Sequence, residues 1–254
     1  MNNQSTVSNQ EDCYRGALFA IGGAADKTLV DFVRLAGGDK AHVAILLHAT
    51  VVPVEKAEKL ACQFRQLGVK DVSIIMPGTG TELPQGLTAV FIAGGDQMRL
   101  VHLLDKQLLT QLKSFFKAGG LIAGTSAGAV AMCHLMIGGG MSDGVIRPGS
   151  LIITPGLGLL DKVIIDSHAG QRSRDCRCLT AVALYPDVLC IGLDEDTAIH
   201  IFQGKVRVYG KRHVRLFRAA NQEQCSLTVS KDYASASVSG VLVSFLVAGE
   251  EFEL

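Results

Sequence analysis

The segment LIAGTSAGAVAM, residues Leu121–Met132, decides the fold that we predict for this chain. The apolar run Leu121–Ala123 predicts a buried strand, the small residues from Gly124 onward predict a tight turn, and the alanines after it favour a helix. Ser126 therefore lies in a G-x-S-x-G pattern between a strand and a helix, which is the arrangement of a nucleophile elbow. A glycine-rich turn that packs a helix against a sheet has the same pattern, so the pentapeptide alone leaves both interpretations open.

Alternating strands and helices precede this segment. Short apolar runs predict buried strands, and segments with helical spacing between them end at glycines, as helices do. The predicted strands are Gly16–Ile21, Ala41–Leu47, Val72–Met76 and Leu87–Ala93, and the predicted helices are Thr28–Leu35, Val54–Leu67, one from about residue 98, and Leu108–Lys117. This alternation predicts an α/β fold with a doubly wound, mostly parallel sheet flanked by helices.

After residue 185 the pattern changes to short segments of alternating apolar residues joined by glycines. Such segments predict antiparallel hairpins toward the C-terminus. The predicted strands are Val188–Leu193, Ala198–Phe202, Lys205–Tyr209, His213–Phe217 and Val241–Val247. Arg215 and the other basic residues of these strands occupy alternate positions, which predicts a solvent-facing side.

Length and composition indicate a soluble enzyme of one domain. The chain has 254 residues, 48% of them hydrophobic, and its 24 basic residues balance 24 acidic ones. Balanced charge disfavours nucleic acid as a partner, and no apolar run reaches membrane-spanning length. Residues 1–15 are polar and lack the pattern of a signal peptide, which predicts a disordered lead-in before a single domain at 16–254.

Cysteine and glycine spacing predict no metal site and no cofactor site. The seven cysteines are scattered and odd in number, which favours free thiols in a reducing compartment and hence a cytoplasmic protein. Cys176 and Cys178 lack the second pair that a zinc site needs, and Gly156 and Gly158 lack the third glycine of a dinucleotide site.

His168 is the candidate base for Ser126, because a serine hydroxyl needs one to become a nucleophile. It follows an apolar strand-like run and precedes Arg172, Arg174 and Arg177. Three guanidinium groups within six positions suit a carboxylate clamp. A structural histidine and arginines on a helix surface remain the alternatives.

An orienting carboxylate is expected near a strand end, and Asp194, Glu195 and Asp196 all qualify. Spacing does not choose among the three, and an exposed turn is an alternative for all of them. The pair Gly94-Gly95 at another strand end predicts that the N–H of Gly95 forms an oxyanion hole with that of Ala127.

These segments together resemble cyanophycinase and its relatives, which are serine exopeptidases of the dipeptidase E-like group. The fold of that group is akin to class I glutamine amidotransferases. The resemblance is carried in family order by Ile21–Lys27, Ala93–Arg99, Gly124–Ala129, Pro155–Leu160, Ile164–Arg177 and Gly192–Ile199. It covers most of residues 16–218, and Phe252–Leu254 resembles the end of the family.

The resemblance implies a triad of Ser126 as nucleophile, His168 as general base and acid, and Glu195 as orienting carboxylate. It also implies substrate-binding or supporting positions, at Gln97, Asp166, Arg172, Arg174 and Arg177. The implied substrate is arginyl-polyaspartate, cleaved to β-aspartyl-arginine dipeptides, and the implied assembly is a homodimer. A carboxylate-rich substrate agrees with the arginine clamp that the residues themselves suggest.

Three positions depart from the family pattern: Ser167 and Ala169 beside the candidate base, and Ala25 where an acidic residue is expected. They predict a roomier, less polar pocket and leave another acidic peptide open as substrate. The alternatives are an α-aspartyl dipeptidase of the dipeptidase E type and a non-catalytic binding protein on the same fold. A glutamine amidotransferase is disfavoured, because that chemistry uses a cysteine where Ser126 stands.

Overall fold

As far as the strand that ends at Thr125, the described elements follow the order strand, helix, strand, helix, two strands, two helices and strand, with a short 3₁₀ turn after the first helix. The structure is a computed structural model that describes residues 15–25, 27–78, 82–147, 149–231 and 234–254. The predicted lead-in, residues 1–15, lies outside the described residues except for the exposed Arg15. The helices are α1 (Thr28–Ala36), α2 (Pro53–Gln66), α3 (Gln97–Leu103), α4 (Lys106–Lys117), α5 (Ala127–Ala131) and α6 (Asp175–Leu184), with a 3₁₀ turn at Gly38–Lys40.

Eight of the described strands form one central sheet. The described residues form sixteen strands in all: β1 (Ala17–Ile21), β2 (His42–Leu46), β3 (Asp71–Ile75), β4 (Ala89–Ile92), β5 (Leu121–Thr125), β6 (Leu135–Gly140), β7 (Leu151–Pro155), β8 (Val163–Ser167), β9 (Leu189–Leu193), β10 (Thr197–Phe202), β11 (Lys205–Gly210), β12 (Val214–Ala219), β13 (Ser226–Val229), β14 (Ala236–Ser239), β15 (Val241–Leu246) and β16 (Glu251–Glu253). The sheet order is β16-β11-β10-β1-β5-β4-β2-β3. Neighbours from β1 to β3 in this order are parallel, and β10, β11 and β16 extend the sheet antiparallel. The predicted mostly parallel α/β fold is confirmed.

Helices cover both faces of this sheet because its central strands are apolar on both sides. In β1, Phe19 packs in a core with Phe32 of α1 and Phe64 of α2. The next residue, Ala20, belongs to the opposite core with Leu112 of α4. All five residues are fully buried, so Phe19 and Ala20 each face a helix layer on opposite sides of the sheet.

Two helices near the site begin at aspartate caps. The side chain of Asp96 accepts hydrogen bonds from the N–H groups of Met98 and Arg99 at the start of α3. Asp105 accepts one from the N–H of Leu108 at the start of α4. Each cap satisfies backbone donors that the helix itself leaves unpaired.

A second sheet changes the prediction made for the C-terminal third. Its order is β15-β12-β9-β8. All the predicted strands exist, but β9 pairs with β8 in parallel and with β12 antiparallel, and β11 and β12 lie in different sheets. Among the successive strands from β9 to β12, β10 and β11 alone form the predicted hairpin, which turns at Gly204. The sequence also gave no prediction of the hairpin of β6 and β7, the hairpin of β13 and β14, or β16.

The two sheets are joined where β1, β8 and β9 end. The N–H of His168 after β8 donates to the carbonyl of Gly22 after β1 at 2.9 Å. The N–H of Ala169 donates to the carbonyl of Leu193, the last residue of β9, at 3.0 Å. The predicted candidate residues are therefore brought together at this edge. Within the described residues, no helix combines the length and the hydropathy needed to cross a bilayer.

Candidate active site

Ser126 occupies a sharp turn between β5 and α5. Its backbone has φ 52° and ψ −114°, a conformation that is rare for a residue with a side chain. A Cβ at Gly124 would collide with the backbone of Gly128, so small residues are required on both sides of the serine. The N–H of Ser126 donates to the carbonyl of Ile21 at 2.9 Å, which fixes the turn against β1. Backbone strain of this kind costs about 1–3 kcal/mol and concentrates at functional sites.

The imidazole of His168 connects the serine to a carboxylate. Its Nε2 lies 2.8 Å from Ser126 Oγ, and its Nδ1 lies 2.7 Å from Glu195 Oε1. The side chain of His168 is 11% exposed, and its backbone also has a positive φ of 52°. Because an ionised carboxylate only accepts hydrogen bonds, Nδ1 carries the proton and Nε2 is left to accept from the serine.

The three neighbouring acids have separate partners. Asp194 is buried, and its carboxylate accepts a hydrogen bond from the N–H of Gly170 at 2.8 Å and pairs with Arg215 at 3.3 Å. Asp196 pairs with Lys211 at 3.1 Å. Of the three acids, Glu195 alone has its carboxylate in contact with the imidazole of the candidate base.

The electrostatic surroundings keep His168 neutral. Burial is the largest effect and lowers the pKa of His168 below its ordinary value, and the charges of Arg172 and Arg174 act in the same direction. The hydrogen bond that His168 Nδ1–H donates to Glu195 opposes them by raising the pKa, but the net direction is downward. The imidazole is therefore in its basic form at neutral pH, as a general base must be.

The predicted oxyanion donors lie beside the serine. The Cβ position of Gly94 is 3.3 Å from Ser126 Cβ, so this loop passes directly over the nucleophile. Gly95 has φ +156°, and a Cβ there would collide with the carbonyl of Ala49. Among the described residues, the N–H groups of Gly95 and Ala127 donate to no acceptor within the protein. Both donors are available to a developing negative charge.

The side-chain amide of Gln97 already donates hydrogen bonds to backbone carbonyls of the protein. Its Nε2 donates to the carbonyls of Ile137 at 2.9 Å and Gly138 at 3.1 Å, both in β6. The side chain therefore ties the β6–β7 hairpin to the loop that carries Gly95, and only its oxygen is free to accept from a substrate.

The arginine cluster separates into buried and accessible members. Asp166 is fully buried and pairs with Arg174 at 3.1 Å and with Arg177 at 2.9 Å. Burial raises the pKa of Asp166, and the two guanidinium groups oppose that effect. Asp166 and Arg177 have 0% and 5% of their side chains exposed, so of the two roles predicted for these positions, burial favours support of the site over direct contact with a substrate. Arg172 is exposed and free to reach a ligand.

Two supporting residues were absent from the sequence-based prediction. Arg215, expected on a solvent-facing side, is only 12% exposed and bridges Asp194 and Asp175. Gln171 accepts a hydrogen bond from the N–H of Glu195 at 2.9 Å through its Oε1. Gln171 lies within the segment Ile164–Arg177 but was assigned no role there, and Arg215 lies outside the segments that carry the resemblance.

Within the described residues, no group of three or more His, Cys, Asp or Glu side chains is arranged to hold a metal ion. The residues brought together at the described site carry hydroxyl, imidazole, carboxylate and backbone amide groups.

Comparison with known proteins agrees with this chemistry. The profile of Peptidase family S51 matches residues 58–209. A cyanophycinase of Synechococcus elongatus is 33% identical over 228 residues, which cover 84% of this chain and 71% of that protein. A peptidase E of Nostoc sp. is 27% identical over 177 residues, which cover 66% of this chain and 71% of that protein.

A crystal structure of a peptidase from an acI-B1 actinobacterium shares the fold, with a TM-score of 0.68 at 18% identity, covering 96% of this chain and 98% of that one. With the match to the family profile and the similarity to cyanophycinase over most of its length, the chain belongs to peptidase family S51 and is a serine-type peptidase.

Proposed function

We propose that Ser126, His168 and Glu195 form the catalytic triad of a serine exopeptidase that hydrolyses aspartyl peptide linkages. The observation that carries this proposal is the continuous pair of hydrogen bonds, 2.8 Å from Ser126 to His168 and 2.7 Å from His168 to Glu195. Both distances lie within the range that proton transfer requires.

In the proposed mechanism, Ser126 Oγ attacks the substrate carbonyl carbon as His168 Nε2 accepts the hydroxyl proton. The N–H groups of Gly95 and Ala127 stabilise the oxyanion of the tetrahedral intermediate. The imidazolium, stabilised by Glu195, then gives its proton to the leaving amine, and an acyl-enzyme remains. Water, activated by the same imidazole, hydrolyses this ester and restores the serine.

Arginyl-polyaspartate, cleaved to β-aspartyl-arginine dipeptides, is the substrate we propose first. The similarity to cyanophycinase supports it, as does the exposed Arg172 near the candidate base, which suits a substrate carboxylate. A free α-aspartyl dipeptide is the second candidate, favoured by the similarity to peptidase E.

The test uses insoluble arginyl-polyaspartate and α-aspartyl dipeptides side by side, with product masses determined. Ser126→Ala is expected to lower kcat by about 10⁴-fold or more without loss of the fold. Ser114→Ala, an exposed serine of α4, is the matched control and is expected to retain activity. Full activity of Ser126→Ala would refute the triad, and release of products from the α-linked dipeptides alone would replace the first substrate with the second.

A single domain at 16–254 and a cytoplasmic homodimer are part of the same proposal. The hydrophobic core supports a single domain, because Ala20 of the central sheet and Leu216 of the second sheet belong to one buried cluster. The homodimer rests on the family resemblance. Light scattering of the purified chain measures its mass, and a monomer at micromolar concentration would remove this part of the proposal.

A further inference from the structure

A small pocket of about 150 Å³ opens between α1, α2 and the C-terminal edge of the central sheet. Its inner wall is apolar and is formed by Leu29, Leu60 and Phe91. The other described lining residues are two alanines and four polar residues: Ala24, Ala25, Lys56, Lys59, Gln63 and Thr125.

The four polar side chains of the pocket are unpartnered. Within the described part of the chain, none of them has a hydrogen bond or an ion pair, and no acidic side chain lines the pocket. Burial lowers the pKa of the Lys56 ammonium, and its neighbour Lys59 acts in the same direction. Two like charges one helical turn apart repel each other and favour an anionic occupant.

The position of the pocket connects it to the candidate active site. Thr125 immediately precedes Ser126 in the chain. Ala24 follows Gly23, and a Cβ at Gly23 would meet the imidazole of His168. Ala25 is apolar and adds no charge beside the lysines.

We propose that this pocket is a carboxylate-binding subsite for a short acidic group of the substrate. The ammonium groups of Lys56 and Lys59 pair with the carboxylate, and the Gln63 amide and Thr125 hydroxyl donate hydrogen bonds to it. The apolar wall of the pocket contacts the substrate methylene groups that carry this carboxylate. This subsite deepens the proposed function, on which its role in substrate recognition rests.

The experiment titrates the purified chain with succinate, followed by calorimetry, with succinamide as the uncharged analogue of the same shape. Succinate has no peptide bond, so its binding is measured independently of turnover. A negative titration therefore refutes the subsite, whereas an active Ser126→Ala enzyme refutes the triad.

Lys56→Gln combined with Lys59→Gln is expected to weaken succinate binding by at least about tenfold, because two ion pairs are removed. Lys40→Gln is the matched control, since Lys40 is exposed and precedes β2 at the opposite edge of the sheet. It is expected to leave binding unchanged.

If the double variant does not fold, each single variant carries the test, with a loss of about threefold expected from each. Equal succinate affinity in variant and wild type, or succinamide binding as tight as succinate binding, overturns the proposal. Weakening by Lys40→Gln to the same extent also overturns it, because the effect then reflects overall charge.

Discussion

Gly23→Ala is expected to inactivate the enzyme by displacing the candidate base. A Cβ at Gly23 would lie 2.8 Å from both ring nitrogens of His168, and closer still to the carbon between them. Ordinary contact requires roughly 3.5 Å, so the ring nitrogens have to move by about 0.7 Å and the carbon between them by more. Both hydrogen bonds of the imidazole, at 2.8 Å and 2.7 Å, are then lengthened or lost.

Two magnitudes follow from this displacement. Misplacement of a reacting group by about 1 Å costs about 10²-fold in rate, so kcat is expected to fall by about that factor. The alanine also adopts φ +121°, and such strain lowers the free energy of unfolding by about 1–3 kcal/mol. Initial rates on the aspartyl substrate and urea unfolding measure the two effects separately.

Gly37→Ala separates strain from displacement. Gly37 has a similar φ of +113°, but the nearest atom to its Cβ position is 3.8 Å away. This variant is expected to lose similar stability and to keep its kcat. The reasoning is refuted if Gly23→Ala keeps full kcat, or if the two variants lose activity equally.

Three further predictions concern charge and burial. Asp166→Ala leaves Arg174 and Arg177 without their buried partner, so urea unfolding is expected to show a loss of about 3–5 kcal/mol; a loss below 1 kcal/mol would contradict the structural role assigned to it. The proposed mechanism requires neutral His168, whose pKa is lowered, so kcat/KM is expected to fall with decreasing pH only below the ordinary imidazole range. Arg172→Gln removes one cause of that lowering, so the acidic limb of the pH profile should move to higher pH. A limb that stays in place or moves to lower pH would contradict the effect assigned to Arg172. Burial raises the pKa of the Cys133 thiol to about 12, so iodoacetamide at pH 8 should alkylate the exposed Cys62 and spare Cys133, as mass spectrometry of peptides would show.

Local patterns were sufficient to predict the parallel strands and the elbow. The strands that carry Phe19 and Ala123 are buried on both faces, and such strands form continuous apolar runs that need no tertiary information. Gly124 and Gly128 mark the turn at Ser126 because any side chain there meets backbone. The positions of the serine and of the candidate base could therefore be predicted from residues close to each in the chain.

The β6–β7 hairpin could not be predicted in this way. Its first strand contains Gly138, Gly139 and Gly140, and glycine is depleted from strands because it has no side chain to pack. Gln97, which lies about forty residues earlier in the chain, donates two hydrogen bonds to carbonyls of this strand. A Cβ at Gly138 would also crowd the side chain of Met98. Long-range contacts of this kind override local propensity, and they leave no periodicity in the sequence.

Three consecutive acids show why spacing could not identify the orienting carboxylate. Asp194 directly follows β9, and its buried side chain meets the guanidinium of Arg215 from the neighbouring strand. Asp196 has φ +52°, which reverses the chain within one residue and sends its carboxylate to Lys211. Glu195 stands between a strand end and this reversal, so its side chain alone reaches His168. The backbone of the turn therefore sets the role of each acid. An acid-to-amide change at Asp194 should alter the position of Glu195, whereas the same change at Glu195 should alter the basicity of the imidazole itself.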